Sequence, residues 1–115
     1  EIESLPNIKI RESPDGSFET FDALVFLTES SSSALRCRQS LLESGISTKI
    51  LPEAITWHFA GCWEHMPQLY SNGRDLTNYL SDSLKLLNRC VSLPIFLKQN
   101  DNIPSIVYKA ISSAN

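Results

Sequence analysis

Residues 23–50, ALVFLTESSSSALRCRQSLLESGISTKI, decide how the rest of this chain folds. The run Ala23-Leu24-Val25-Phe26-Leu27 is apolar without interruption and short, which predicts a central strand buried on both faces. The serines at 30–33 then read as a helix start, because serine is a good N-cap and an apolar stripe follows at once. Ala34, Cys37 and Leu41 fall on one helical face, joined by Leu35 and Leu42, with Arg36, Arg38, Gln39 and Glu43 mostly outside. Gly45 supplies the left-handed position that ends a helix. Residues 48–51 resume as a strand, stopped by Pro52. A strand, a helix and a returning strand over this length predict a crossover unit.

Upstream, residues 8–11 alternate apolar and charged side chains, as a strand with one face on a core does. The turn signal Pro14-Asp15-Gly16-Ser17 separates it from the apolar run, and the two strands are expected to pair antiparallel. Downstream, Asn72-Gly73 marks a turn, and Asp75 caps a long helix carrying Leu76, Tyr79, Leu80, Leu84 and Leu87 on one side. Val91-Ser92-Leu93-Pro94 is a short strand whose proline implies an edge or the strand's end. Asp101-Asn102 offers a cap for a last helix, with Pro104 in its first turn and Ile103, Ile106, Val107, Ala110 and Ile111 on one face. The expected architecture is α+β, one domain over residues 1–115, with a small, mainly antiparallel sheet of three or four strands covered by helices.

Composition excludes several classes of function. A net charge of −3 with scattered basic residues argues against nucleic acid, which needs a concentrated positive face. No apolar run reaches the length of a membrane span and no signal peptide opens the chain, so no membrane partner is expected. Cys37, Cys62 and Cys90 are odd in number and widely spaced, which fits reduced cytoplasmic thiols better than a disulfide framework.

The chemistry-bearing residues gather in residues 45–67, GISTKILPEAITWHFAGCWEHMP, which hold both tryptophans, both histidines and the only methionine. His58, Cys62 and His65 would share a face if this segment were helical, and imidazole and thiolate are zinc ligands. No paired cysteines and no placed carboxylate complete such a shell, so no metal is expected. Glu53, Glu64 and His58 are proton carriers by type, but no nucleophile motif or glycine-rich phosphate loop accompanies them. Trp57, Phe59, Cys62, Trp63 and Met66 can equally be packing residues. Two tryptophans in an irregular segment lean towards an interface or a ligand wall.

The stretch LLESGISTKILPEAITWHFAGCWEHM resembles the C-terminal small domain of the DegT/DnrJ-type sugar aminotransferases, pyridoxal-phosphate enzymes of fold type I. There a helix ends in Gly-Ile, here Gly45 and Ile46, and a strand with a threonine and a basic residue follows, here Thr48 and Lys49. The later LLNRCVSLPIFLKQNDNIPSIVYKAI is similar to the family's closing helix, Ser-Leu-Pro strand and terminal helix. Many members carry a His-Tyr pair soon after the Thr-basic strand, where this chain has Leu51-Pro52-Glu53-Ala54 and a later histidine, His58. That variant looks most like the 8-amino-3,8-dideoxy-manno-octulosonate transaminase subgroup.

The resemblance implies a cytoplasmic homodimer, with this chain as the small domain joined to a large N-terminal domain. The complete enzyme would move an amino group from glutamate to a keto sugar acid. The Schiff-base lysine belongs to the large domain, and Lys9, Lys49, Lys85, Lys98 and Lys109 stand in no matching context. Pyridoxal phosphate is thus implied for the whole enzyme and not for this chain, which has no catalytic residue of its own. Lys49, Glu53, Trp57 and His58 are the implied substrate contacts. The competing expectation is a free-standing α+β ligand-binding or regulatory module, since fold alone does not set function.

Overall fold

Ser30 starts the longest helix as its position predicts. Its hydroxyl accepts a hydrogen bond from the Ser33 amide at 3.2 Å, capping α1, Ser31–Glu43. Ser44 closes that helix, and Gly45 follows at φ 77°, the left-handed conformation that only glycine adopts without cost. The computed structural model describes residues 2–50, 54–70, 72–73 and 75–114, with the backbone but not the side chains of 49 and 50.

Four strands pair entirely antiparallel in the order β1-β2-β4-β3. These are β1 Lys9–Ile10, β2 Ala23–Leu27, β3 Lys49–Ile50 and β4 Cys90–Pro94. β2 and β3 each run opposite to β4, so they point the same way, and β2-α1-β3 is a crossover with a gap that β4 fills. The expected antiparallel α+β sheet is therefore present, as a split crossover. The turn at Asp15-Gly16 between β1 and β2 also forms, with the Ser17 amide donating to the Pro14 carbonyl at 3.0 Å and Gly16 at φ 78°.

The core lies on one face of the sheet. Phe26 and Val91 are paired across β2 and β4, and Leu24 is paired with Leu93; all four point towards α1 and α5, Ile103–Ala114. Ala34, Cys37 and Leu41 from α1 meet Val107, Ala110 and Ile111 from α5. Ile2, Leu5 and Ile8 from the N-terminus close the side of this cluster. Polar groups tie the two helices together. Ser40 donates to the Ala110 carbonyl at 2.8 Å, and the Arg36 Nε donates to the Ala114 carbonyl at 3.2 Å, where the α5 dipole is negative.

Three expectations are corrected, and of the two readings of Pro94, an edge or the strand's end, the second holds. Leu35 and Leu42 do not join the buried stripe but are exposed on the outside of α1. β2 is central, yet only Phe26 is fully buried; Leu24 beside it and Ala23, Val25 and Leu27 on the other face are half-buried. β4 is not an edge strand, since it lies between β2 and β3. Pro94 falls at its last residue, and the Ile95 amide takes over the pairing to the Asp22 carbonyl at 2.9 Å. The single long helix expected after Asp75 is two, α3 Leu76–Tyr79 and α4 Ser81–Leu87, because Leu80 leaves helical geometry at φ −104°, ψ 25°. Asp75 does cap the first of these, accepting from the Thr77 and Asn78 amides.

No helix among the described residues is long and apolar enough to cross a membrane. The chain is elongated, with a radius of gyration of 16.1 Å against about 13 Å for a compact domain of this length. Residues 54–70 contribute nothing to the main core cluster.

Candidate functional site

Residues 54–70 fold through contacts within the segment and against α3. α2, Ile55–His58, is a single turn, and Phe59 then leaves it in extended geometry at φ −116°, ψ 115°. That break buries the Phe59 ring to 3% exposure. The ring lies over Gly61 so closely that a Cβ there would sit 2.3 Å from Cε1. Glycine at 61 is a steric requirement of this packing. A short 3-10 turn, Ala60–Cys62, follows, and a second, Pro67–Leu69, places proline where its missing N–H is harmless. The Tyr70 hydroxyl closes the loop, within reach of the Ala60 and Gly61 carbonyls at 3.3 and 3.2 Å.

With Phe59 turned inward, its neighbours face out. Thr56, Trp57, Trp63, His65 and Met66 line an open groove of about 540 Å³, within the size range of small-molecule sites. Trp57 is 79% exposed, and Trp63 is half-buried. The Trp63 and His65 rings lie 6.5 Å apart between centroids, tilted by 42°. Among the described residues no Lys, Arg, Asp or Glu lines this groove.

Of the four implied substrate contacts, Trp57 and His58 have described side chains. Trp57 stands on the groove wall. His58 is exposed at the end of the same helical turn but does not line the groove. Lys49 lies on the edge strand β3, and its side chain, like all of Glu53, is outside the described residues. Trp63 and His65 are the groove residues that the resemblance did not single out. The signal for them was the crowding of both tryptophans, both histidines and the methionine into one irregular stretch.

The helical register that would align His58, Cys62 and His65 is lost at Phe59. Among the described residues no three His, Cys, Asp or Glu side chains gather as metal ligands would. The three cysteines are free thiols; Cys62 is exposed, while Cys37 and Cys90 are buried. Burial pushes both buried thiols above their ordinary value, opposed by the nearby positive charge of Arg36 for Cys37 and of Arg11 for Cys90.

No protein-family model matches this chain, and no curated protein sequence matches it. A family reading therefore rests on the residues quoted above and on the groove.

Proposed function

We propose that this chain is the small, substrate-covering domain of a pyridoxal-phosphate-dependent sugar aminotransferase of the DegT/DnrJ type. Its substrate class is a keto sugar acid related to 8-amino-3,8-dideoxy-manno-octulosonate, and glutamate is the amino donor. The observation that carries the reading is the aromatic groove of residues 54–70, held off the main core and open to solvent. An exposed indole beside a half-buried one is what a domain that closes over a ligand or a larger body presents. The far side of the sheet supports the same reading, since Val25, Leu27, Leu86, Leu87 and Cys90 line an apolar cleft there with Arg11 at its edge.

The described residues do not fit the cofactor itself. Lys9 and Lys85 are surface side chains ion-paired with Glu12 and Asp82, each at 2.9 Å, and no lysine with a described side chain lines the groove. The cofactor is the electron sink of such an enzyme and is held elsewhere. What this chain supplies is substrate contact, with Lys49 as a cation for the sugar carboxylate and Trp57, His58 and Glu53 around it. The working enzyme on this reading is a cytoplasmic homodimer.

The test is to express the longest reading frame containing the chain and assay amino transfer from glutamate to the keto sugar acid with pyridoxal phosphate. Transfer supports the proposal, and Lys49→Ala should then lower kcat/KM for the sugar acid by about ten- to a hundred-fold, the size of a lost charge-assisted contact. A frame without an upstream large domain, or one without transfer, favours the free-standing binding module instead.

A further inference from the structure

The groove of residues 54–70 has a composition that points to one ligand shape. We infer that Trp57 and Trp63 form a stacking wall for the apolar face of a pyranose ring, with His65 as the polar anchor beside it. This rests on the sugar aminotransferase reading and deepens it, because it selects the cyclic form of the sugar and assigns its contacts to Trp63 and His65.

Three observations carry the inference. The lining is aromatic: Trp57, Trp63 and His65 bring flat rings to the groove, and Met66 adds a polarisable group. A pyranose presents C–H groups on its faces and hydroxyls around its rim, so it needs a flat apolar surface bordered by hydrogen-bonding groups. Both indole N–H groups and the His65 ring nitrogens are such borders. Among the described residues none of these side chains has a hydrogen-bonding partner in the protein, so each is open to a ligand hydroxyl. The described lining is aromatic, apolar and hydroxyl-bearing, with no carboxylate, lysine or arginine among the described residues, and these groups suit an uncharged ring. The carboxylate of a sugar acid would extend beyond the stacked ring.

The chain has only two tryptophans, so the test can be read at two signals. The indole N–H resonances of the 115-residue chain are followed by NMR during titration with methyl β-galactopyranoside and, separately, with sorbitol, an open-chain polyol. Saturable shifts of both signals with the pyranoside, and none with sorbitol, are expected. Trp63→Ala should weaken binding tenfold or more. Trp57→Ala should do the same without a folding penalty, as Trp57 is largely exposed. His65→Ala should weaken it by about two- to tenfold, the size of one hydrogen bond. Equal responses to the two polyols, non-saturating shifts, or unchanged binding by Trp57→Ala overturn the inference. The titration uses neither cofactor nor amino donor, so its outcome separates from the enzyme assay. A reading frame that transfers amino groups while the indoles ignore the pyranoside defeats the stacking wall alone. Indoles that bind the pyranoside in a protein without transfer defeat the aminotransferase reading alone.

Discussion

In the sheet with α1 and α5, Phe26, Leu41, Val91 and Ile111 have lost all contact with solvent, and each touches elements distant in sequence. In residues 54–70 the one comparably enclosed described side chain is Phe59, and the ring lies on Gly61, two residues away. The first region is held by burial in the shared core, the second by turns, a tyrosine clamp and contact with α3. A region with few buried apolar contacts opens locally at lower free energy than one in a shared core. The difference separates a scaffold, whose geometry is fixed by a shared core, from a segment that can open without unfolding it.

The sharpest way to break this comparison is to empty both regions of their phenylalanine. Phe26→Ala should cost about 3–5 kcal/mol in urea unfolding, the usual loss for a buried phenylalanine. Phe59→Ala should shift the main transition far less, while speeding hydrogen exchange of the amides in 54–70. An equal loss of global stability in the two variants would show one cooperative unit. Gly61→Ala comes next. The added methyl must displace the Phe59 ring, so overpacking of about 1–3 kcal/mol should fall on the segment. Its measure is a collapse of exchange protection at 54–70, with protection in β2 unchanged.

The caps give a smaller contrast. Ser30→Ala removes the N-cap of α1 and should lower global stability by about 0.5–2 kcal/mol. Asp75→Ala removes an equivalent cap from the four-residue α3, and its effect on the main transition should be slight. The smallest effect is in the thiols. Since burial raises Cys37 and Cys90 above 9.0, the folded state holds those protons more tightly than the unfolded chain does. Their contribution is complete below pH 9.0 and falls as pH rises from there through the folded values. Cys37→Ala should flatten that alkaline decline in a pH series of urea melts. With a thiol reagent at neutral pH, Cys62 should react at once and the other two only on unfolding.

The sheet block was largely legible because its signals are local. Ser30, Gly45, Gly16 and Asp75 each fix a cap or turn through their own chemistry, and the spacing of Ala34, Cys37 and Leu41 fixes the buried face of α1. Two kinds of information were missing. Leu35 and Leu42 are apolar by type, and only the position of α5 shows that they lie outside the contact. The insertion of β4 between β2 and β3 is a long-range choice to which Pro94 is indifferent, since its missing N–H matters only inside a ladder. The site was legible as a stretch rather than as a geometry. His58, Cys62 and His65 have helical spacing, but the burial of Phe59 breaks the helix before the spacing can act.

The place of β4 has a consequence for biosynthesis. Its two neighbours and the helix between them leave the ribosome first, so the emerging chain carries β2 and β3 with the edges that face each other unpaired. Neither edge is satisfied until residues 90–94 arrive, and α5, which covers the same face, arrives later still. During that interval the nascent chain presents an apolar slot shaped for a single extended strand. A slot of that kind accepts a strand from any chain that offers one, so the window between synthesis of β3 and of β4 is when this protein is most open to pairing with a neighbour. Closure from the C-terminal side turns the last third of the sequence into the latch of the whole sheet.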